Sequence, residues 1–376
     1  MTDLAGLTVI SIEQAVAAPY ASGRLADGGA RVIKIERPEG DFARLYDADA
    51  KGHSSYFTWL NRGKESICLD LKSADDLALV HAMLDEADIF IQNLMPGAID
   101  RLGLSMADLR KKHPKLITVS ISGYGSSGEY SQMKAYDLLI QAETGLSSLT
   151  GGPSEPGRVG VSICDIAAGM TAFQAILQAL IGRMKTGEGR HIEVSLFSAL
   201  ADWMNVPYVQ RHYGGKTISR PGLHHPTIAP YGVYPCGDGG LILLSIQNER
   251  EWQRLASEVL MRPDMITDPR FSSNIARVDN RDALNTIMHD VFGQDGRDVM
   301  AKKLNDAGIA YGRLNTVDDL IDHPQTQYIT TMTSQGEVKM IAPGAMFDGK
   351  PMVADRIPDL GEHSEAIRAE FSHDKG

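Results

Sequence analysis

The chain has 376 residues, 43% hydrophobic and 23% charged, which is ordinary globular composition and at this length suggests two domains. A net charge of −11 with no run of Lys or Arg argues against nucleic acid or an anionic membrane surface as partner, and any anionic small molecule needs a locally positive site. Cys68, Cys164 and Cys236 are few, odd in number and far apart, so neither a disulfide framework nor a metal site is expected. The opening Met-Thr-Asp-Leu-Ala-Gly lacks an export signal, and a reducing, cytoplasmic compartment fits best.

In chain order, residues 7–13 read as a strand, 19–28 as a helix and 31–36 as a second strand. A helix over 75–88, a strand over 89–93, a helix over 106–112 and a strand over 116–122 follow. Helices are predicted over 136–149 and 165–184, and a further strand over 190–196. Residues 166–181 are apolar but interrupted by Thr171, Gln174 and Gln178, so they read as a buried helix rather than a membrane span. This alternation predicts an α/β, Rossmann-like, doubly wound parallel sheet.

The texture changes at residue 216. Residues 216–235 hold several prolines and little periodicity, as a linker or active-site loop would. A turn at 237–240 leads into a strand over 241–246, followed by helices over 249–261, 281–292 and 296–307. Residues 1–215 therefore read as the first part of a large domain, 216–330 as an inserted smaller α+β domain, and 331–376 as a return to the large one, ending in a helix over 364–371.

The first strand-to-helix turn has no Gly-x-Gly-x-x-Gly, and neither a Walker sequence nor a Gly-x-Ser-x-Gly elbow is present. Nicotinamide, ATP and serine-hydrolase chemistry lose their usual support. Arg37, Lys72, Arg101 and Lys134 each follow a predicted strand or its loop, on the side of a parallel sheet where ligands bind. Singly each reads as a solvated charge; their shared position suits the phosphates of coenzyme A.

Asp165 falls where an apolar run becomes a helix. It reads either as an N-cap or as a carboxylate kept ionised, and therefore nucleophilic, by free backbone N–H groups. Cys164 has no His nearby in sequence and reads as a small buried hydrophobe. His224 and His225 are adjacent, so joint metal chelation is disfavoured, while contact of one with an anionic substrate fits.

Together, VIKIERPEGD, NRGKESICLDLK, NLMPGAIDRLG, AYD, GEGRHIEVSLFSAL, AGIAYGRLNTVDDL and PDLGEHSEAI resemble the family III CoA-transferases, in family order and over nearly the whole chain. The resemblance implies an interlocked homodimer, with coenzyme A as co-substrate, no permanently bound cofactor, and acyl-CoA and carboxylic acids as substrates. It implies that Arg37, Leu69, Lys72, Asn93, Leu94, Arg101 and Lys134 line the coenzyme A site. Asp165 would form an acyl anhydride and then a CoA thioester, with Tyr136 and Asp137 bordering the reacting carbonyl.

Val16 and Asp137 stand where formyl-CoA transferase has glutamine and glutamate, and its Gly-rich flap is reduced to the 237–240 turn. Short dicarboxylates of four or five carbons are therefore expected rather than formate or oxalate, with Val16, Tyr136, Asp137 and His225 in the substrate pocket. Two alternatives stay open. One is a 2-methylacyl-CoA racemase with Asp165 as base, although Tyr136 would be a poor second base. The other is a non-catalytic CoA-binding protein.

Overall fold

The computed structural model describes residues 2–372 except 216, 218 and 219. It divides into two compact units, one of Met1–Leu146, Arg158–Gly215 and Gln327–Gly376, the other of Ser147–Gly157 and Lys216–Thr326. Residues 147–157 thus group with the second unit, not with the first as their position in sequence suggests. The Arg220 guanidinium holds them there, donating to the carbonyls of Ser148, Gly152 and Pro153.

The first unit is built on six strands: β1 (Thr8–Ile12), β2 (Arg31–Glu36), β3 (Lys64–Cys68), β4 (Ile89–Gln92), β5 (Ile117–Ser122) and β6 (His191–Ser195). They pair throughout in parallel, in the order β3-β2-β1-β4-β5-β6. Helices α1 (Ala17–Asp27), α2 (Ser55–Leu60), α3 (Ala74–Asp85), α4 (Ala98–Arg101) and α5 (Met106–Lys112) connect the first five strands. Between β5 and β6 come α6 (Asp137–Glu143), α7 (Leu146–Leu149) and α8 (Ile163–Thr186), and α9 (Leu196–Trp203) and α10 (Asn205–His212) follow β6. The helix expected over 136–149 is two helices, broken at Gly145, whose φ is 82°.

Both faces of the sheet are covered, so its strands read as β-branched runs. Val9, Val32, Ile89, Ile91, Ile117 and Val119 pack under α1, α8 and α9. Ile10, Ile33, Ile35, Ile67 and Phe90 face the opposite way, toward α3, α5 and the final helix, Ser364–Phe371. Strand alternation divides one apolar sequence between two cores.

α8 has 24 residues, more than the sequence suggested, and is long and apolar enough to cross a membrane by length and composition. Yet Ala167, Ala168, Ala172, Ile176 and Ala179 are buried in the first core. A Cβ at Gly169 would stand 2.7 Å from the Ala17 carbonyl oxygen, so this glycine lets α1 and α8 approach. α8 is the central packing helix of the unit.

The C-terminal segment returns to this unit at β3. The His363 N–H donates to the Ser66 carbonyl at 2.9 Å, and the Cys68 N–H to Ser364 Oγ at 3.1 Å. Arg31 bridges Glu65 and Glu370.

The second unit has its own core around Tyr234, Trp252, Phe271 and Phe292. Its antiparallel sheet runs β7 (Tyr231–Pro235), β8 (Leu241–Ser245), β9 (Ala310–Arg313). The region expected to be linker up to residue 235 therefore ends in a strand. Tyr231-Gly-Val-Tyr-Pro235 alternates in burial, and its proline lies at the strand's last position, where the missing donor costs least.

Candidate active site

In an open parallel sheet, ligands bind beyond the carboxyl ends of the strands, where strand order reverses. Here that point lies between β1 and β4. The loops after these strands are clipped together by Asn93, whose Oδ1 accepts from the Gln14 N–H at 3.0 Å while its Nδ2 donates to the Gln14 carbonyl at 2.8 Å. Ala15 follows in the left-handed region, at φ 63°, its N–H donated to Asp41 Oδ1 at 3.1 Å.

Asp41 belongs to a buried charge network of three acids and three bases. Its Oδ2 accepts from Lys34 Nζ at 2.7 Å, and Lys64 Nζ donates to Glu13 at 2.7 Å. Arg44 grips Glu36, whose carboxylate also accepts from the Asp41 N–H at 3.0 Å. Burial opposes charge on Lys34, but Asp41, Glu13 and Glu36 outweigh it and raise its pKa. Burial lowers Lys64 to about 8. The network secures the turn from β1 into α1.

Above it lies a cavity of about 510 Å³, lined among others by Gln14, Val16, Tyr46, Asn93, Tyr136, Asp137, Arg158 and Asp165. Aromatic rings form one wall, with Tyr46 edge-on to Tyr56 at 5.4 Å between centroids. Burial, together with Asp41 and Asp165, pushes the Tyr46 phenol up to about 12, so it stays a proton donor at neutral pH. A Cβ at Gly123 would stand 2.2 Å from the Ala135 side chain, so this glycine lets the segment bearing Tyr136 and Asp137 cross the end of β5.

Asp165 is the third residue of α8, not its cap, and among the described residues its carboxylate accepts no backbone hydrogen bond. The N–H of Cys164 goes instead to Asp137 Oδ1 at 2.7 Å. Asp137 Oδ2 accepts from Gln141 Nε2 at 2.7 Å, and Gln141 Oε1 accepts from the Val159 N–H at 2.9 Å. One chain of bonds thus joins α6, the segment before α8 and the first turn of α8.

The effect on Asp165 is opposite to the one expected from a helix start. Burial, and then the nearby Asp137, raise its carboxyl from the usual 3.8 to about 7. Near neutrality it exists both as acid and as carboxylate, a poise common in functional groups. Burial also raises the Cys164 thiol well above its ordinary range, with Asp137 adding to it, and its side chain is fully buried, so it is no thiolate nucleophile.

Of the residues expected to hold coenzyme A, Asn93 alone lines this cavity. Asn93 reaches the cavity, but its amide is occupied by Gln14. Leu94 lines a neighbouring cavity of about 350 Å³ with Gln92, Ser120 and Glu193. Leu69 is 1% exposed and packed in the core, which leaves contact with a ligand to its backbone. Lys72, Arg101 and Lys134 are exposed. Arg37 is exposed as well, its guanidinium 3.4 Å from the Gln14 side-chain oxygen.

Val16 is 3% exposed at the start of α1, and Tyr136 65% exposed at the start of α6; both line the cavity. His225 belongs to the second unit, where it stacks on Tyr231 at 5.1 Å and accepts the Thr227 N–H at 3.3 Å. Sequence reasoning missed Gln14, Tyr46, Gln141 and Arg158. Gln14 lies two residues beyond β1, and the rule for parallel sheets could have found it.

A family model described as CoA-transferase family III matches residues 4–364. An acetyl-CoA:oxalate CoA-transferase of Acetobacter aceti is 34% identical, covering 98% of this chain and 95% of that protein. A succinate–glutarate CoA-transferase of Agrobacterium fabrum is also 34% identical, with the same coverage of both chains. The crystal structure of a CAIB/BAIF family protein from Brucella suis superposes with a TM-score of 0.85 at 35% identity, over 98% of this chain and 99% of that one. By sequence over nearly its whole length, and by its parallel six-stranded α/β fold, the chain belongs to CoA-transferase family III and is a CoA-transferase.

Proposed function

We propose that Asp165 is the acyl-accepting nucleophile and that the enzyme moves coenzyme A between short dicarboxylic acids. The observation that carries this reading is a half-buried carboxyl, raised to about 7, that lines the cavity beyond β1 and β4 beside Asp137. The ionised Asp165 attacks the thioester carbonyl of the donor. The C–S bond breaks, coenzyme A leaves as thiolate, and a mixed anhydride forms. The thiolate then attacks the aspartyl carbonyl, releasing the donor acid as a carboxylate and leaving Asp165 as its CoA thioester.

The acceptor carboxylate reverses these steps. It displaces coenzyme A from Asp165, and the thiolate attacks the acceptor's carbonyl to give the new thioester and free Asp165. Each step exchanges one acyl bond for another, with no net oxidation. Partial burial of Asp165 suits this cycle, since it limits the water that would hydrolyse the anhydride. Arg37, Lys72, Arg101 and Lys134 supply positive charge for the phosphates of coenzyme A, against a net charge of −11.

The protein acts in this reading as an interlocked homodimer in the cytoplasm. Val206, Tyr208 and Val209 of α10 are exposed and the helix buries no residue, which supports a second chain against that face. The three cysteines are free, as a reducing compartment requires.

The test crosses acyl-CoA donors with isotope-labelled carboxylic acids and reads products by mass spectrometry. The reading expects label in CoA esters of four- and five-carbon dicarboxylates, and none with Asp165→Ala. Exchange that survives Asp165→Ala overturns it.

A further inference from the structure

Arg158 was not among the residues that pointed to coenzyme A, and the cycle above does not use it. It is the one Lys or Arg among the described residues that line the Asp165 cavity. Its side chain is exposed and makes no ion pair among the described residues, in a protein where most arginines near the sheet are already matched to acids. No cation offsets the rise in the Asp165 carboxyl, which follows from burial and Asp137. Arg158 therefore does not neutralise the nucleophile, and its charge is left for a ligand.

Its backbone is held in place. The next residue, Val159, donates its N–H at 2.9 Å to Gln141, which is fully buried and in turn holds Asp137 at 2.7 Å. Asp137 caps the turn that carries Asp165. The backbone so anchored fixes where the Arg158 side chain departs relative to the Asp165 carboxyl, and the side chain itself is free to reach into the cavity it lines.

A dicarboxylate entering this cavity presents one carboxyl for reaction and one that keeps its charge, near two acids already present. The retained carboxylate needs a counter-charge, and a guanidinium binds it through two parallel hydrogen bonds. We infer that Arg158 receives the non-reacting carboxylate of a dicarboxylic substrate and so selects dicarboxylic over monocarboxylic acids of equal length. This rests on the proposed acyl exchange at Asp165.

The experiment uses acetyl-CoA as donor and compares succinate with butyrate, and glutarate with valerate, in wild type, Arg158→Gln and Arg158→Lys. Wild type should prefer each dicarboxylate. Arg158→Gln should raise KM for the dicarboxylates by roughly ten- to a hundredfold, the worth of a charge-assisted pair, and leave the monocarboxylates and acetyl-CoA unchanged. Arg158→Lys should recover part of the preference, because the charge remains and the fork is lost.

Equal losses for both kinds of acid overturn the inference, since Arg158 would then serve the reacting carboxyl or the fold. A raised KM for acetyl-CoA overturns it in favour of a phosphate contact, and a wild-type preference for the monocarboxylates overturns it outright. In all these cases Asp165 is still acylated and exchange proceeds. Exchange with no acylation of Asp165 is the distinct result that removes the underlying reading, and this assignment with it.

Discussion

Asp137 takes the backbone N–H of Cys164 at 2.7 Å, 27 residues away in sequence, and so occupies the helix start on which Asp165 stands. The capping carboxylate and the proposed nucleophile are different residues, and the first adds to the rise in the pKa of the second. Acylation requires ionised Asp165, so its rate should climb with pH through about 7 and level off above it. Asp137→Asn removes the charge while keeping an oxygen for Cys164. The rising limb should move to lower pH, though not to that of a free carboxylate, because burial is the larger cause. Single-turnover rates against pH read this, and an unmoved limb would clear Asp137 of the effect.

The same poise bears on stability. A carboxyl whose folded pKa is raised stabilises the fold at low pH, and that contribution is lost as pH rises through about 7. The rise from 3.8 to about 7 sets an upper bound of about 4 kcal/mol on the loss. Asp165→Asn cannot ionise. It should therefore melt higher than wild type at pH 8, with the gap shrinking as pH falls toward 5. A gap that is constant with pH contradicts the burial of Asp165 as a strained acid.

Lys34 and Asp41 are a buried pair whose partners depend on them, 2.7 Å apart. Lys34→Met should cost about 3–5 kcal/mol, because the buried Asp41 loses the cation bonded to it while Glu13 keeps only Lys64. Asp41→Asn should cost a similar amount, since the amide keeps an oxygen for the Ala15 N–H but loses the charge paired with Lys34. The double variant should cost less than the sum of the two, as for groups in one network. Urea unfolding of the four proteins measures this, and strict additivity would show the pair to be independent.

Arg37→Ala and Lys72→Ala should each raise KM for acyl-CoA by roughly ten- to a hundredfold, as for a lost charge-assisted bond. The difference from wild type should narrow in high salt, since both side chains are exposed and partly screened. Unchanged constants in both variants would remove them from the coenzyme A site.

The sheet was legible because burial on both faces leaves β-branched runs such as Arg31–Glu36 and Ile89–Gln92. β3 was harder to read: Lys64-Glu-Ser-Ile-Cys68 is mostly polar, and it is a strand because Lys64 and Ser66 find buried partners in Glu13 and Glu36. Asp165 was legible as a residue at a helix start beside small side chains. The sign of its electrostatics was not, since that depends first on its burial in the fold and then on Asp137 arriving from another helix. Arg158 sits between Gly157 and Val159 in an irregular segment, where no periodicity marks a side chain as cavity-lining. Local pattern marked positions, while tertiary burial and a neighbouring charge set the chemistry of Asp165.

The covalent role of Asp165 is tested most directly by giving the protein an acyl-CoA donor with no acceptor and trapping with hydroxylamine. Mass spectrometry of the peptide spanning residues 161–170 should show an aspartyl hydroxamate at Asp165, absent from Asp165→Asn, which should still bind coenzyme A. A general base, as in a racemase, is never acylated and would give no adduct while exchanging the α-proton of a 2-methylacyl-CoA with deuterium. Modification at Cys164, or no modification while wild-type exchange runs normally, would contradict the account.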